Sequence, residues 1–108
     1  MSNQQKKIER LSKGEIIITS EPGNSMVPII HHRQKHKLAP VSYEQVEIGD
    51  VVYCKVAGRM YTHLVKAKDP NKGLQIGNNK GFINGWTKTV YGKLIAVKEE
   101  DNWKTYRR

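Results

Sequence analysis

Two residues of this chain have the chemistry of a hydroxyl nucleophile and its base. Ser25 lies in the turn-like run Gly23-Asn24-Ser25-Met26-Val27-Pro28, and 38 residues later His63 lies in Gly58-Arg59-Met60-Tyr61-Thr62-His63-Leu64-Val65. A serine hydroxyl is inert at its own pKa and attacks a carbonyl only when a neighbour within hydrogen-bond reach takes its proton. Histidine, with an ordinary pKa near ~6.5, is mostly neutral at pH 7 and suits that role. Each residue also has a purely local reading. A serine after an asparagine in a turn caps backbone amides, and a histidine on a strand commonly faces solvent. The pair means something only if the fold brings it together.

The elements that must do so read almost entirely as strands. Glu15-Ile16-Ile17-Ile18-Thr19 is a β-branched run, ended by the turn signal Glu21-Pro22-Gly23. Leu38-Ala39-Pro40-Val41 predicts a short edge strand, because Pro40 has no N–H to give to a ladder. Residues 50–56 and 59–67 read as a hairpin closed by Ala57-Gly58. Asp69-Pro70-Asn71-Lys72-Gly73 is a strong turn, followed by a short strand at 74–76 and a longer one at 89–98. No 11-residue segment has helical periodicity. The expectation is a mostly β fold, a small coiled antiparallel sheet or partly open β-barrel. It would span 14–98, between a flexible N-terminal segment at 1–13, disordered or a short frayed helix, and a charged C-terminal tail at 99–108. Alternation along 59–67 puts His63 on one face with Tyr61 and Val65, with Met60, Thr62 and Leu64 on the other.

Composition narrows the function classes. A chain of 108 residues is one domain with one modest core. A mean hydropathy of −0.67 fits a soluble protein, and no apolar run approaches the ~20 residues of a membrane span. Residues 1–7 lack an apolar signal core, so a cytoplasmic setting is expected. The single cysteine, Cys54, excludes an internal disulfide and reads as a small half-buried strand residue. The net charge of +9 favours acidic partners, including non-specific contact with nucleic acid. His31, His32 and His36 lack a fourth ligand and sit in a basic run, so no metal site is expected. No cofactor motif is present. Trp86 reads as a core plug, with a substrate-wall aromatic as its alternative.

One ordered series of short motifs is more specific than any of these alone. It runs Ser25-Met26-Val27-Pro28, Ile48-Gly49-Asp50-Val51-Val52, Tyr61-Thr62-His63-Leu64-Val65, Ile76-Gly77-Asn78-Asn79 and Val90-Tyr91-Gly92-Lys93-Leu94-Ile95. In this order the motifs resemble the LexA/signal-peptidase-like serine peptidases, over about residues 16–97. LexA-type repressors and bacterial signal peptidases carry a lysine base; archaeal and endoplasmic-reticulum signal peptidases carry a histidine, and this chain resembles the second kind. The resemblance implies a soluble serine endopeptidase that processes itself or a protein partner. Ser25 would be the nucleophile and His63 the base, with Asn24 and Met26 at the oxyanion hole and substrate wall. Relatives orient the base with aspartates in the following turn; here Asn78 or Asn84 would take that part. Short members with neither membrane anchor nor DNA-binding domain look like accessory proteins of phages or mobile elements, acting in the host cytoplasm.

Two further classes compete with the enzyme. An asparagine holds an imidazole tautomer but cannot offset an imidazolium charge, which motivates a catalytically inactive, protein-binding member of the same fold. The positive charge motivates a basic, nucleic-acid-associated β-barrel. Asp50 reads as the start of a strand rather than as an acid of the site.

Overall fold

The computed structural model describes residues 2–108. The chain is mostly β, as its patterning predicts. One helix, α1 (Asn3–Ser12), precedes eight strands: β1 (Ile17–Thr19), β2 (His36–Pro40), β3 (Val51–Val56), β4 (Arg59–Asp69), β5 (Gly73–Gly77), β6 (Ile83–Thr87), β7 (Val90–Glu99) and β8 (Asn102–Thr105). All pair antiparallel in one open sheet of order β1-β2-β7-β3-β4-β5-β6, with β8 added alongside the later half of β7.

Alternation along β3 and β4 sends side chains to two cores. Leu11, Ile17, Met26, Leu38, Val51, Tyr53, Leu94 and Val97 fill one, with Met60 and Leu64 at its margin. Val46, Val52, Cys54, Val56, Val65, Leu74 and Ile76 fill the other, with Tyr61 packed beside them. A coiled sheet that is buried on both faces makes β3 an almost continuous apolar run, here with Val51–Cys54 all below the surface. The β3–β4 hairpin turns through Ala57 (φ 49°) and Gly58 (φ 83°), both left-handed, as a two-residue hairpin requires. Cys54, read as half-buried, is fully buried, and burial pushes its thiol up to about 12.

Four expectations are corrected. Residues 1–13, read as a flexible segment that is disordered or a short frayed helix, contain a capped and docked helix, α1: the Ser2 hydroxyl caps it by accepting from the Gln5 N–H, and Leu11 is 2 % exposed against the sheet. Its apolar stripe is only Ile8 and Leu11, too short a signal to stand out from the polar residues around it. The charged tail at 99–108 instead turns back as β8; the Tyr106 hydroxyl donates to the Gly49 carbonyl at 2.6 Å, and Arg108 meets Asp50 at 2.9 Å. The strand around Pro40 is interior, flanked by β1 and β7. Pro40 is tolerated because β1 pairs only as far as Leu38, so no strand faces its missing N–H on that side. Residues 83–87 form β6, and Trp86 is half-buried on it under Lys72, whose Nζ lies 5.4 Å from the ring, rather than plugging either core.

Candidate active site

The serine loop is built by its own turn hydrogen bonds. Ile29 and Ile30 donate backbone N–H groups to the Met26 carbonyl at 2.8 and 3.0 Å, and Val27 donates to Asn24. Met26 is 5 % exposed and anchors the turn in the first core while also lining the cavity beside it. Gly23, at φ 108°, supplies the left-handed approach that a side chain would disfavour. Its N–H donates to His32 Nδ1 at 2.8 Å, so His32 pins the start of the loop. From the far side Asn79 holds the loop twice: its backbone N–H donates to the Ser25 carbonyl and its Nδ2 to the Val27 carbonyl, both at 2.9 Å.

This loop sets Ser25 Oγ 3.1 Å from His63 Nε2. On the other side of the ring, His63 Nδ1 lies 2.7 Å from Asn84 Oδ1. A carbonyl oxygen only accepts, so Nδ1 carries the proton and Nε2 presents its lone pair to the serine hydroxyl. Of the two asparagines left open by sequence, Asn84 orients the imidazole. Asn78 does not: its Oδ1 accepts the Lys80 and Phe82 N–H groups at 2.8 and 3.0 Å and shapes the β5–β6 turn.

Asn84 reaches His63 because of a bulge. Gly77 pairs with Ile83 and Ile76 with Gly85, which leaves Asn84 as the extra residue of β6. A bulge of this kind turns a side chain out of the regular alternation. Gly85 (φ 139°) permits it, and a Cβ there would sit 3.1 Å from Val56 Cγ1. His63 itself follows the regular alternation, sharing a face with Tyr61, whose ring centroid is 5.0 Å from its own at 33°.

The electrostatics favour a neutral base. Burial lowers the His63 pKa below its usual 6.5; the hydrogen bond to Asn84 and the field of Glu21 act the other way without overcoming it. A neutral imidazole with a free Nε2 lone pair can take the Ser25 proton. The remaining groups near the serine are also placed for chemistry. Asn24 and Ser25 lie outside the set of amides that donate within the turn, and the β4 edge from Met60 to His63 pairs with β3 on one side only, since β5 begins its pairing at Leu64.

Other sequence candidates lie elsewhere. The Asp50 carboxylate accepts the Glu47 N–H and meets Arg108, so it serves the strand start. His36 is buried on β2, and His31 is exposed. Three residues beside the dyad had no sequence signal as a group: Glu21, His36 and Thr62 share a cavity of about 200 Å³ with Ser25 and His63. They come from the β1–β2 connection, β2 and β4, so only folding joins them. No helix among the described residues is long and apolar enough to cross a membrane. In comparisons with protein-family models, curated proteins and solved structures, nothing matches this chain.

Proposed function

We propose that the chain is a serine endopeptidase related to the LexA/signal-peptidase-like enzymes, with Ser25 as nucleophile, His63 as general base and Asn84 as the group that orients the base. The supporting observation is the continuous series Ser25 Oγ–His63 Nε2 at 3.1 Å and His63 Nδ1–Asn84 Oδ1 at 2.7 Å. Hydrogen-bond reach between nucleophile and base, with the base held by a third group, is the geometry that nucleophilic catalysis needs. In the reaction Ser25 Oγ attacks a peptide carbonyl as Nε2 takes its proton. The imidazolium then protonates the leaving amine, and water attacks the acyl-enzyme with the same nitrogen as base. Backbone N–H groups at Asn24 and Ser25 would face the developing oxyanion. An extended substrate would add to the free β4 edge beside His63, its main chain pairing while its side chains alternate across the edge. The substrate is the chain itself or a protein partner.

The test is labelling by a fluorophosphonate together with cleavage of a mixed peptide set read by mass spectrometry. Wild type should be labelled on Ser25 and cut peptides; Ser25→Ala should do neither while melting close to wild type, since it removes one part-buried hydrogen bond worth about 1 kcal/mol. A wild-type protein that neither labels nor cuts would leave a protein-binding module on this fold.

A further inference from the structure

The cavity beside the dyad straddles the free edge of β4. Tyr61 and His63 reach it from one face of the strand, Met60 and Thr62 from the other. On the Thr62 face stands a polar group that the dyad does not use. Thr62 Oγ1 donates to Glu21 Oε1, and His36 Nε2 lies 3.7 Å from the same oxygen, beyond hydrogen-bond distance. His36 Nδ1 is 3.0 Å from the Gln34 carbonyl, which can only accept, so Nδ1 bears a proton and Nε2 of the neutral ring is a lone pair. That atom is fully buried and has no partner, on a residue 1 % exposed that lines the cavity. A buried acceptor without a donor costs free energy until something supplies one.

The charge of the cavity says what the donor is. Its walls hold one carboxylate, Glu21, and no lysine or arginine, in a chain with 19 Lys and Arg against 10 Asp and Glu. Glu21 remains 33 % exposed and open to a ligand, and no lysine or arginine lies within 4.0 Å of it among the described residues. Burial acts to raise the Glu21 pKa, while the Thr62 hydroxyl and the field of Lys7 act to lower it; the net shift is downward, so the group is an anion. The net positive charge of the chain does not decide this contact, because distant charges are screened over ~8–10 Å while the carboxylate touches the ligand. At about 200 Å³ the space is below the ~300–1,000 Å³ of a typical small-molecule site and suits one side chain.

We propose that this cavity is a specificity subsite for a cationic substrate side chain, lysine or arginine, whose N–H groups donate to Glu21 and to His36 Nε2. It rests on the peptidase reading for the word substrate, while the cation site itself does not. A strand added to the β4 edge projects alternate side chains to the Thr62 face, where this group lies, as its scissile carbonyl approaches Ser25.

The test separates the two claims. Full-length isotopically labelled protein is titrated with n-butylguanidinium and with the neutral isostere n-butylurea, in wild type, Ser25→Ala and Glu21→Gln, followed at the Thr62 amide and the His36 ring by NMR. Butylguanidinium should give saturable shifts in wild type and Ser25→Ala alike, and butylurea should bind roughly 10- to 100-fold more weakly, the value of one charge-assisted hydrogen bond. Glu21→Gln should lose the discrimination; Glu21→Asp, which keeps the charge, should retain part of it. Equal affinity for the two probes in wild type, or none for either, overturns the cation site whatever the variants do. Fluorophosphonate labelling of Ser25 is scored in parallel. Cation binding without labelling upholds the subsite and removes the peptidase, and labelling without cation discrimination does the reverse.

Discussion

Replacing Asn84 with aspartate puts a charge where the structure has a neutral acceptor. The side chains are nearly isosteric, and Asn84 Oδ1 is already 2.7 Å from His63 Nδ1, so the geometry is preserved. With charge centres about 4 Å apart and an effective dielectric of about 20, the new attraction between carboxylate and imidazolium is at most about 4 kcal/mol. His63 and Asn84 are both half-buried, so solvent reduces this to a rise of ~1–3 pKa units. In wild type the His63 pKa lies below 6.5 because burial disfavours the imidazolium. The acid limb of kcat/KM therefore falls below pH 6.5, and Asn84→Asp moves it upward. The stability dependence reverses once the pKa passes 6.5. A depressed histidine pKa contributes stability present above 6.5 and lost as pH falls through the folded pKa. A raised one contributes stability present below 6.5 and lost as pH rises through the folded pKa. The rate gain should be roughly 10- to 100-fold in kcat/KM, one decade per 1.36 kcal/mol. That is less than the ~10⁴ lost by an Asp→Asn change in a well-studied serine protease, where the tautomer was also lost; here Asn84 already holds it. The assay is His63 titration by NMR together with a pH–rate profile on a cleaved peptide. A His63 pKa that stays in place or falls in Asn84→Asp would refute the contact from which the triad is reasoned.

Three other perturbations probe the scaffold. Asn79→Ala removes the Nδ2 donor to Val27 O, about 1 kcal/mol, and should speed hydrogen exchange of the Ile29 and Ile30 amides while α1 keeps its protection. Leu11→Ala empties a site 2 % exposed and should cost about 2–5 kcal/mol in urea denaturation; a cost below about 0.5 kcal/mol would mean that α1 is not docked. Cys54, buried with its thiol at about 12, should resist a thiol reagent at pH 8 in the native protein and react fully once unfolded. Rapid native labelling would contradict its place in the second core.

The elements legible in advance were those with strong local signals. The β3–β4 hairpin announces itself by two alternating runs around Ala57-Gly58, and β7 by its length. His63 could be placed on a face with Tyr61 because β4 alternates regularly up to Val65, and its bulge comes only afterwards, at Lys66. Where local signals are weak, tertiary contacts decide. α1 and β8 carry few apolar residues and are held by Leu11, Tyr106 and Arg108 against distant parts of the sheet. β6 is short, polar and interrupted by Gly85, so its pattern resembles a loop until β5 pairs with it.

The same division holds within the site. The types of residue, a serine in a tight turn and a single histidine on a strand, follow from sequence, because turn formers and β alternation act over a few neighbouring positions. The choice of Asn84 over Asn78 does not, since it depends on a bulge that only the β5–β6 register creates. Nor does the grouping of Glu21, His36 and Thr62, which lie up to 41 residues apart and meet because β2 is drawn into the sheet interior while β4 leaves one side of its first half unpaired. Sequence determined which chemical groups this chain carries and the short-range geometry that presents them. Tertiary structure decided which of them meet, because hydrogen-bond register and the burial of distant side chains are properties of the assembled sheet and not of any segment within it.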